Sequence, residues 1–282
     1  MARTTAKCTI CGAEHNVNEM FKLEKNNRGG RNAYICEHCR EEMRQYSYRN
    51  NQKHGCDTVH PFTYGIELET SYSNEKSRSE LAEYKFVPTA DMTVDVEFKS
   101  PIMQNLKPLS HMVKVIDKMI ADGDLEIGES CGTHFHVGHR DLNRETMGYI
   151  RRFYHSLFVP LCEEMEANRE QTIRFWGRDF RYYANTIDRS SYSEDHCNFI
   201  NVQHDMTLEF RLSFYRNGKQ YMNIAKFATK VCEIVMNNFV AHFNDTDYDT
   251  TRYHNIKEYR THKAQVAGEK IVKAYRKMAA NA

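Results

Sequence analysis

Four short stretches of the chain alternate apolar and polar residues with the period of two that a β-strand imposes. In 62–70, FTYGIELET, one face carries Tyr64, Ile66 and Leu68, and the other Gly65, Glu67 and Glu69. In 94–100, Val94, Val96 and Phe98 oppose Asp95, Glu97 and Lys99. In 133–137, Phe135 and Val137 oppose His134 and His136. In 207–213, Leu208, Phe210 and Leu212 oppose Glu209 and Arg211. Around these stretches the apolar period lengthens to that of amphipathic helices. Residues 110–122 open on Ser110 as a cap and set Val113, Ile116 and Ile120 on one side. Residues 141–166 predict one helix capped by Asp141, with a stripe of Met147, Ile150, Tyr154, Leu157, Phe158, Leu161 and Met165 and a kink at Pro160. Residues 223–243 predict another long helix, and 257–278 a basic one read first as a solvated face and second as a polyanion contact. Together these elements predict an α+β fold, an antiparallel sheet with a polar concave face and helices packed on its other side.

A strand face turned to water favours mixtures of Lys, Thr and Ser, and for any single strand that reading would suffice. Here the polar positions are Glu67, Glu69, Glu97, His134, His136, Glu209 and Arg211. Carboxylates gathered on one face repel and raise each other's pKa unless cations sit among them. Such a face is suited to metal, and its oxygen-rich donor set favours Mg²⁺ or Mn²⁺ over zinc, with room for two or three ions. Gly132 and Gly138 flank the histidine strand and let backbone or ligand come close. Two core histidines satisfied by hydrogen bonds stay open as the alternative. A cupin-type HxH site is a poor fit, because Gly138, His139, Arg140 and Asp141 follow where a glutamate is needed.

The first fifty residues add a second chemistry. Cys8 and Cys11 form one CxxC, and Cys36 and Cys39 another. Two such knuckles supply the four thiolates of a tetrahedral structural Zn²⁺ site, with an element order resembling a zinc ribbon or treble clef. So small a segment has too little core to fold alone. It holds nine Lys and Arg against six Asp and Glu, which leaves a nucleic-acid contact open but favours a structural or protein-docking role. The whole chain, 282 residues with a formal charge of +1, 40% hydrophobic and 27% charged, does not resemble a dedicated nucleic-acid or membrane-surface protein. No apolar run approaches a membrane span. A cytoplasmic setting is expected, with cysteines as thiols or metal ligands.

Between the second helix pattern and the last strand, RFWGRDFRYYANT sets Arg174, Arg178 and Arg181 among aromatics. Arginine forks suit phosphate oxygens, and surface ion pairing is the alternative. Taken in order, YGIELET, the D…VEFKSP segment, CGTHFHVG, the R…RYYANT loop and LEFRL resemble the amidoligase family of phages, bacteria and fungi, within the glutamine synthetase and glutamate–cysteine ligase superfamily. The resemblance covers about residues 62–245.

It implies ATP-dependent amide formation between a carboxylate and an amine, an amino acid or peptide being candidates. Glu67 and Glu69 resemble the superfamily's metal-binding ExE, and Glu97 a further metal glutamate. His134 and His136 resemble its HxH that reaches metal and nucleotide phosphate. Glu209 and Arg211 resemble the closing ExR, metal ligand and phosphate clamp. Asp91 stands where the family has Asp-Gly-Ser but is followed by Met92 and Thr93, which puts its role near the amine in question. The domain reading is a zinc-ribbon-like module at 1–50, a linker at 51–61, the catalytic domain at 62–245 and a basic helical extension at 246–282. A phosphotransferase acting on a guanidino or other acceptor, and an inactive ligase-like binding protein, remain the alternatives. Substrates and oligomeric state are not legible.

Overall fold

The computed structural model describes residues 4–7, 13–23, 33–37, 61–89, 94–103, 105–179 and 198–281. Cys8, Cys11, Cys39, Asp91 and Arg181 lie outside these, as does the stretch 51–60 of the expected linker. The chain divides into two compact units, residues 1–55 with 63–134, and residues 56–62 with 135–282. Its principal sheet is six-stranded and antiparallel, and with seven α-helices among the described residues the fold is α+β.

The first unit opens with two small antiparallel hairpins. β1 (Thr5–Lys7) pairs with β2 (Glu14–Asn16), Lys7 opposite Glu14, and β3 (Met20–Leu23) pairs with β4 (Ala33–Cys36), Met20 opposite buried Cys36. The main sheet then begins with β5 (Phe62–Thr70), whose bounds match the alternating stretch. After β6 (Tyr72–Ser73) and α1 (Glu75–Glu83) come β7 (Val87–Thr89) and β8 (Val96–Lys99). Helix α2 (Leu106–Ala121) starts four residues before the predicted Ser110. Asn105 caps it by accepting from the Lys107 N–H, and Pro108 sits in the first turn, where its missing N–H costs no helical bond. Leu109, Met112, Val113, Ile116 and Met119 form its buried stripe. β9 (Leu125–Glu126) pairs with β6, and β10 (Thr133–His139) follows.

In the second unit the predicted single helix at 141–166 is two, α3 (Arg144–Arg152) and α4 (Tyr154–Ala167), divided at Phe153. The cap is Asn143, not Asp141, and forms a reciprocal capping box with Thr146. Pro160 lies within α4 and cannot donate to the Ser156 carbonyl four residues earlier. That carbonyl meets a second helix closely, because a Cβ on Gly268 would stand only 2.3 Å from it. α5 (Arg169–Trp176) ends at Gly177, whose φ of 80° is left-handed. After β11 (Ile200–Asn201) and β12 (Thr207–Phe210), α6 (Gly218–Asn238) begins five residues before the predicted start, capped by Asn217, and a 3₁₀ turn covers Val240–His242. α7 (Ile256–Ala279) holds Gly268.

The strand order of the main sheet is β11-β12-β10-β5-β8-β7. In the second unit its apolar face packs on helix, with Phe135 edge-on to Tyr221 of α6 at 6.0 Å, and Phe210 meets Phe199, just before β11, edge-on at 6.2 Å. Phe175, Trp176, Phe227 and Tyr275 extend this aromatic core. The basic C-terminal helix is therefore not wholly solvated, since Tyr259, Ala264, Ala267, Ile271 and Tyr275 are buried while Lys257, Lys270 and Lys273 face outward. No described helix is long and apolar enough to cross a membrane.

Candidate active site

Strand register brings the first unit's acidic residues together. Glu67 lies directly opposite Lys99 and Glu69 opposite Glu97, so all four share one face of the β5–β8 pair. His134 stands on β10, the neighbour of β5 on the other side. This face is not bathed in water, for Glu67, Glu69, Glu97 and His134 are 7, 7, 8 and 2% exposed. The alternation marks two covered faces, one apolar and one polar.

Buried carboxylates need compensation, and the structure supplies some. Lys99 Nζ donates to Glu67 Oε1 at 2.8 Å and lies 3.4 Å from Glu97 Oε2. His134 Nδ1 lies 3.3 Å from Glu67 Oε2 and its Nε2 3.6 Å from Glu69 Oε1. Thr89 Oγ1 donates to Glu97 at 2.7 Å. The Gly132 N–H donates to Glu69 Oε2, and the Glu69 N–H returns a bond to the Gly132 carbonyl at 3.1 Å. A Cβ on Gly132 would meet His134 Nε2 at 2.7 Å, which explains a glycine at this point. Burial, then the charge of Glu67, push the Glu97 carboxyl up to about 7, against the pull of Lys99 and Thr89. Burial pulls Lys99 down, but Glu67 and Glu97 outweigh it and hold the ammonium above its ordinary value. Glu67, Glu97 and His134 each present one ligand atom, all within 4.8 Å of one another, a set that could hold a cation.

The second unit has its own cluster. On β10 and β12, His136 pairs with Glu209, and β11 sets Asn201 opposite Glu209 on its other side. Glu209 is 1% exposed. It accepts from Asn201 Nδ2 at 2.7 Å and Arg211 NH1 at 2.8 Å, and pairs with His204 Nε2 at 2.8 Å. The His136 ring meets His204 edge-on at 5.3 Å, with Nδ1 3.4 Å from Thr207 Oγ1. Two apart on β10, His134 and His136 point to the same side of that strand.

The arginine segment separates. Arg174 lies on the exposed side of α5, whereas Arg178 is buried with its guanidinium 5.2 Å from the Phe214 ring centroid. Gly177 joins them, and a Cβ there would strike the Phe214 carbonyl at 2.4 Å. Sequence reasoning named Lys99 as a face residue but gave it no role, although its place opposite Glu67 follows from strand pairing. It missed Thr89, Asn201 and His204. Of these, His204 had a signal, an imidazole five residues before the strand glutamate it pairs with.

A family model described as "putative amidoligase enzyme" matches residues 13–280. That reach is longer than the 62–245 over which the motifs carry the resemblance, taking in most of the N-terminal segment and the whole of α7. No curated protein matches the chain.

Proposed function

The chain belongs to the amidoligase family, and on that premise we propose that it is an ATP-dependent carboxylate–amine ligase. The observation that carries the reading is the buried face on which Glu67, Glu97 and His134 converge within 4.8 Å. A carboxylate does not react with an amine, because it is anionic and has no leaving group. Transfer of the γ-phosphoryl group of ATP to one carboxylate oxygen gives an acyl phosphate and ADP. The amine then attacks the acyl carbon, phosphate leaves with that oxygen, and the amine proton is lost.

The face fits a divalent cation, since it gathers three buried carboxylates, of which Glu67 and Glu97 meet Lys99, and its donors are oxygen with one imidazole. Glu67, Glu97 and His134 would hold Mg²⁺ or Mn²⁺, with Glu69 beside them; such an ion neutralises phosphate charge during transfer. Glu209 and its neighbours orient Arg211 toward phosphate oxygens, and His136 serves the nucleotide. Arg174, Arg178 and Arg181 remain candidate phosphate contacts, and Asp91 a candidate near the amine. For the N-terminal segment the reading is a structural Zn²⁺ on Cys8, Cys11, Cys36 and Cys39. It is supported by the doubled CxxC spacing and by Cys36, the described member of the set, which is buried at the end of β4.

The test is to incubate the protein with ATP and Mg²⁺ or Mn²⁺ against panels of acids and amines, measuring ADP and products by mass spectrometry. ADP formation that needs both an acid and an amine, with one amide per ADP, is the expected result. ADP formed with a phosphorylated acceptor and no amide would overturn the ligase reading in favour of phosphotransfer.

A further inference from the structure

Among the described residues, Lys99 brings an ammonium to two of the carboxylates that a metal on this face would use. Its Nζ lies 2.8 Å from Glu67 Oε1 and 3.4 Å from Glu97 Oε2. Those two residues are also two of the three whose ligand atoms converge. An ammonium carries three donors and no lone pair, so it cannot join a coordination shell. An ion held by the same two carboxylates would stand a few ångströms from a like charge in a poorly solvated place, which is strongly unfavourable. The side chain of Lys99 is 37% exposed, against 10% for each carboxylate. The ammonium therefore has a way out to water that its partners lack, on a flexible four-carbon stem.

We propose that Lys99 is a tethered competitor of the divalent cation. It holds Glu67 and Glu97 together until Mg²⁺ or Mn²⁺ displaces it, then withdraws toward solvent. The inference rests on the metal reading of this face. It gives the site a selectivity device: a monovalent ion gains nothing over a cation already tethered there, whereas a divalent ion brings twice the charge to the same carboxylates.

The test uses full-length protein stripped with chelator, titrated with Mn²⁺ and followed by electron paramagnetic resonance. Glu67→Gln serves as the blank that identifies binding to this face. Lys99→Met should bind Mn²⁺ at least tenfold more tightly than wild type. Without metal it should melt at a lower temperature, and saturating Mn²⁺ should raise its melting temperature by more than it raises that of wild type. Lys99→Arg keeps the charge and can fork both carboxylates, so it should fold and bind Mn²⁺ several-fold more weakly. Equal or weaker binding by Lys99→Met, or equal or tighter binding by Lys99→Arg, would overturn the proposal while leaving the metal site standing. Absence of any Mn²⁺ binding that Glu67→Gln abolishes, in wild type and variants alike, would bring down the metal reading itself, and Lys99 with it.

Discussion

Replacing Gly132 with alanine probes the geometry of the acidic face through a single methyl group. The new Cβ would stand 2.7 Å from His134 Nε2, 3.2 Å from Cδ2 and 3.4 Å from Glu69 Oε2. Ordinary carbon–nitrogen contact needs roughly 3.4 Å, so the ring must retreat by about 0.7 Å. It has little space, being 2% exposed and already 3.3 Å from Glu67 and 3.6 Å from Glu69. Overpacking of this kind costs about 1–2 kcal/mol, at the low end because the obstacle is a side-chain tip rather than backbone. The larger effect falls on function. A histidine displaced by that distance no longer aims its nitrogen with the carboxylates, and loss of such positioning weakens metal binding by roughly 10- to 100-fold. The assay pairs Mn²⁺ titration with urea unfolding in chelator. A small loss of stability and a large loss of affinity are expected. Wild-type Mn²⁺ affinity in Gly132→Ala would show that His134 is not both crowded by residue 132 and a ligand.

Glu97 gives a pH dependence of definite sign. Its carboxyl sits at about 7 in the fold against an ordinary 4.5, so between those values the folded state holds the extra proton and rising pH destabilises it, by at most about 3 kcal/mol above pH 7. In chelator, Glu97→Gln should therefore be more stable than wild type at pH 8, the advantage fading toward pH 4.5; an advantage that grows on acidification would show the shift has the opposite sign. Two helical glycines should respond oppositely to alanine. Gly148→Ala meets nothing within 4 Å and should gain about 0.5–1 kcal/mol, whereas Gly268→Ala drives a methyl into the Ser156 carbonyl and should lose about 1–3 kcal/mol. Denaturant midpoints check both, and a stabilised Gly268→Ala would mean α4 and α7 are not in close contact there. Purified protein should carry about one zinc per chain, lost in Cys36→Ser; undiminished zinc in that variant removes the thiolate site.

The strands were the legible part of this chain. Alternation of Tyr64, Ile66 and Leu68 with Glu67 and Glu69 set both the bounds and the facing of β5, because a pleated strand translates sequence parity directly into side. Parity does not say which strands are neighbours, so the pairing of Lys99 with Glu67 and the hydrogen bonding of Asn201 and His204 to Glu209 are out of its reach. Helix starts are less legible, because a cap is a single polar side chain and the chain offers several. Asn105 and Asn217 cap α2 and α6 upstream of the stretches whose periodicity is evident, whereas α3 starts later than Asp141 suggests, at Asn143. The division at Phe153 left no mark in a stripe that runs through it unbroken. The Gly268 contact depends on a carbonyl that Pro160 releases more than a hundred residues earlier in the chain, a relation that no local pattern holds.

The acyl-phosphate step is the centre of the functional account, and one isotope measurement tests it most directly. With an acid and amine pair that supports ADP formation, the carboxylate is labelled with ¹⁸O at both oxygens, and the phosphate released is analysed by mass spectrometry. Phosphoryl transfer to a carboxylate oxygen followed by attack of the amine at carbon leaves that oxygen on the phosphate, so the account predicts one ¹⁸O in each phosphate and one in each amide. Phosphate free of ¹⁸O, released while amide accumulates, would contradict it.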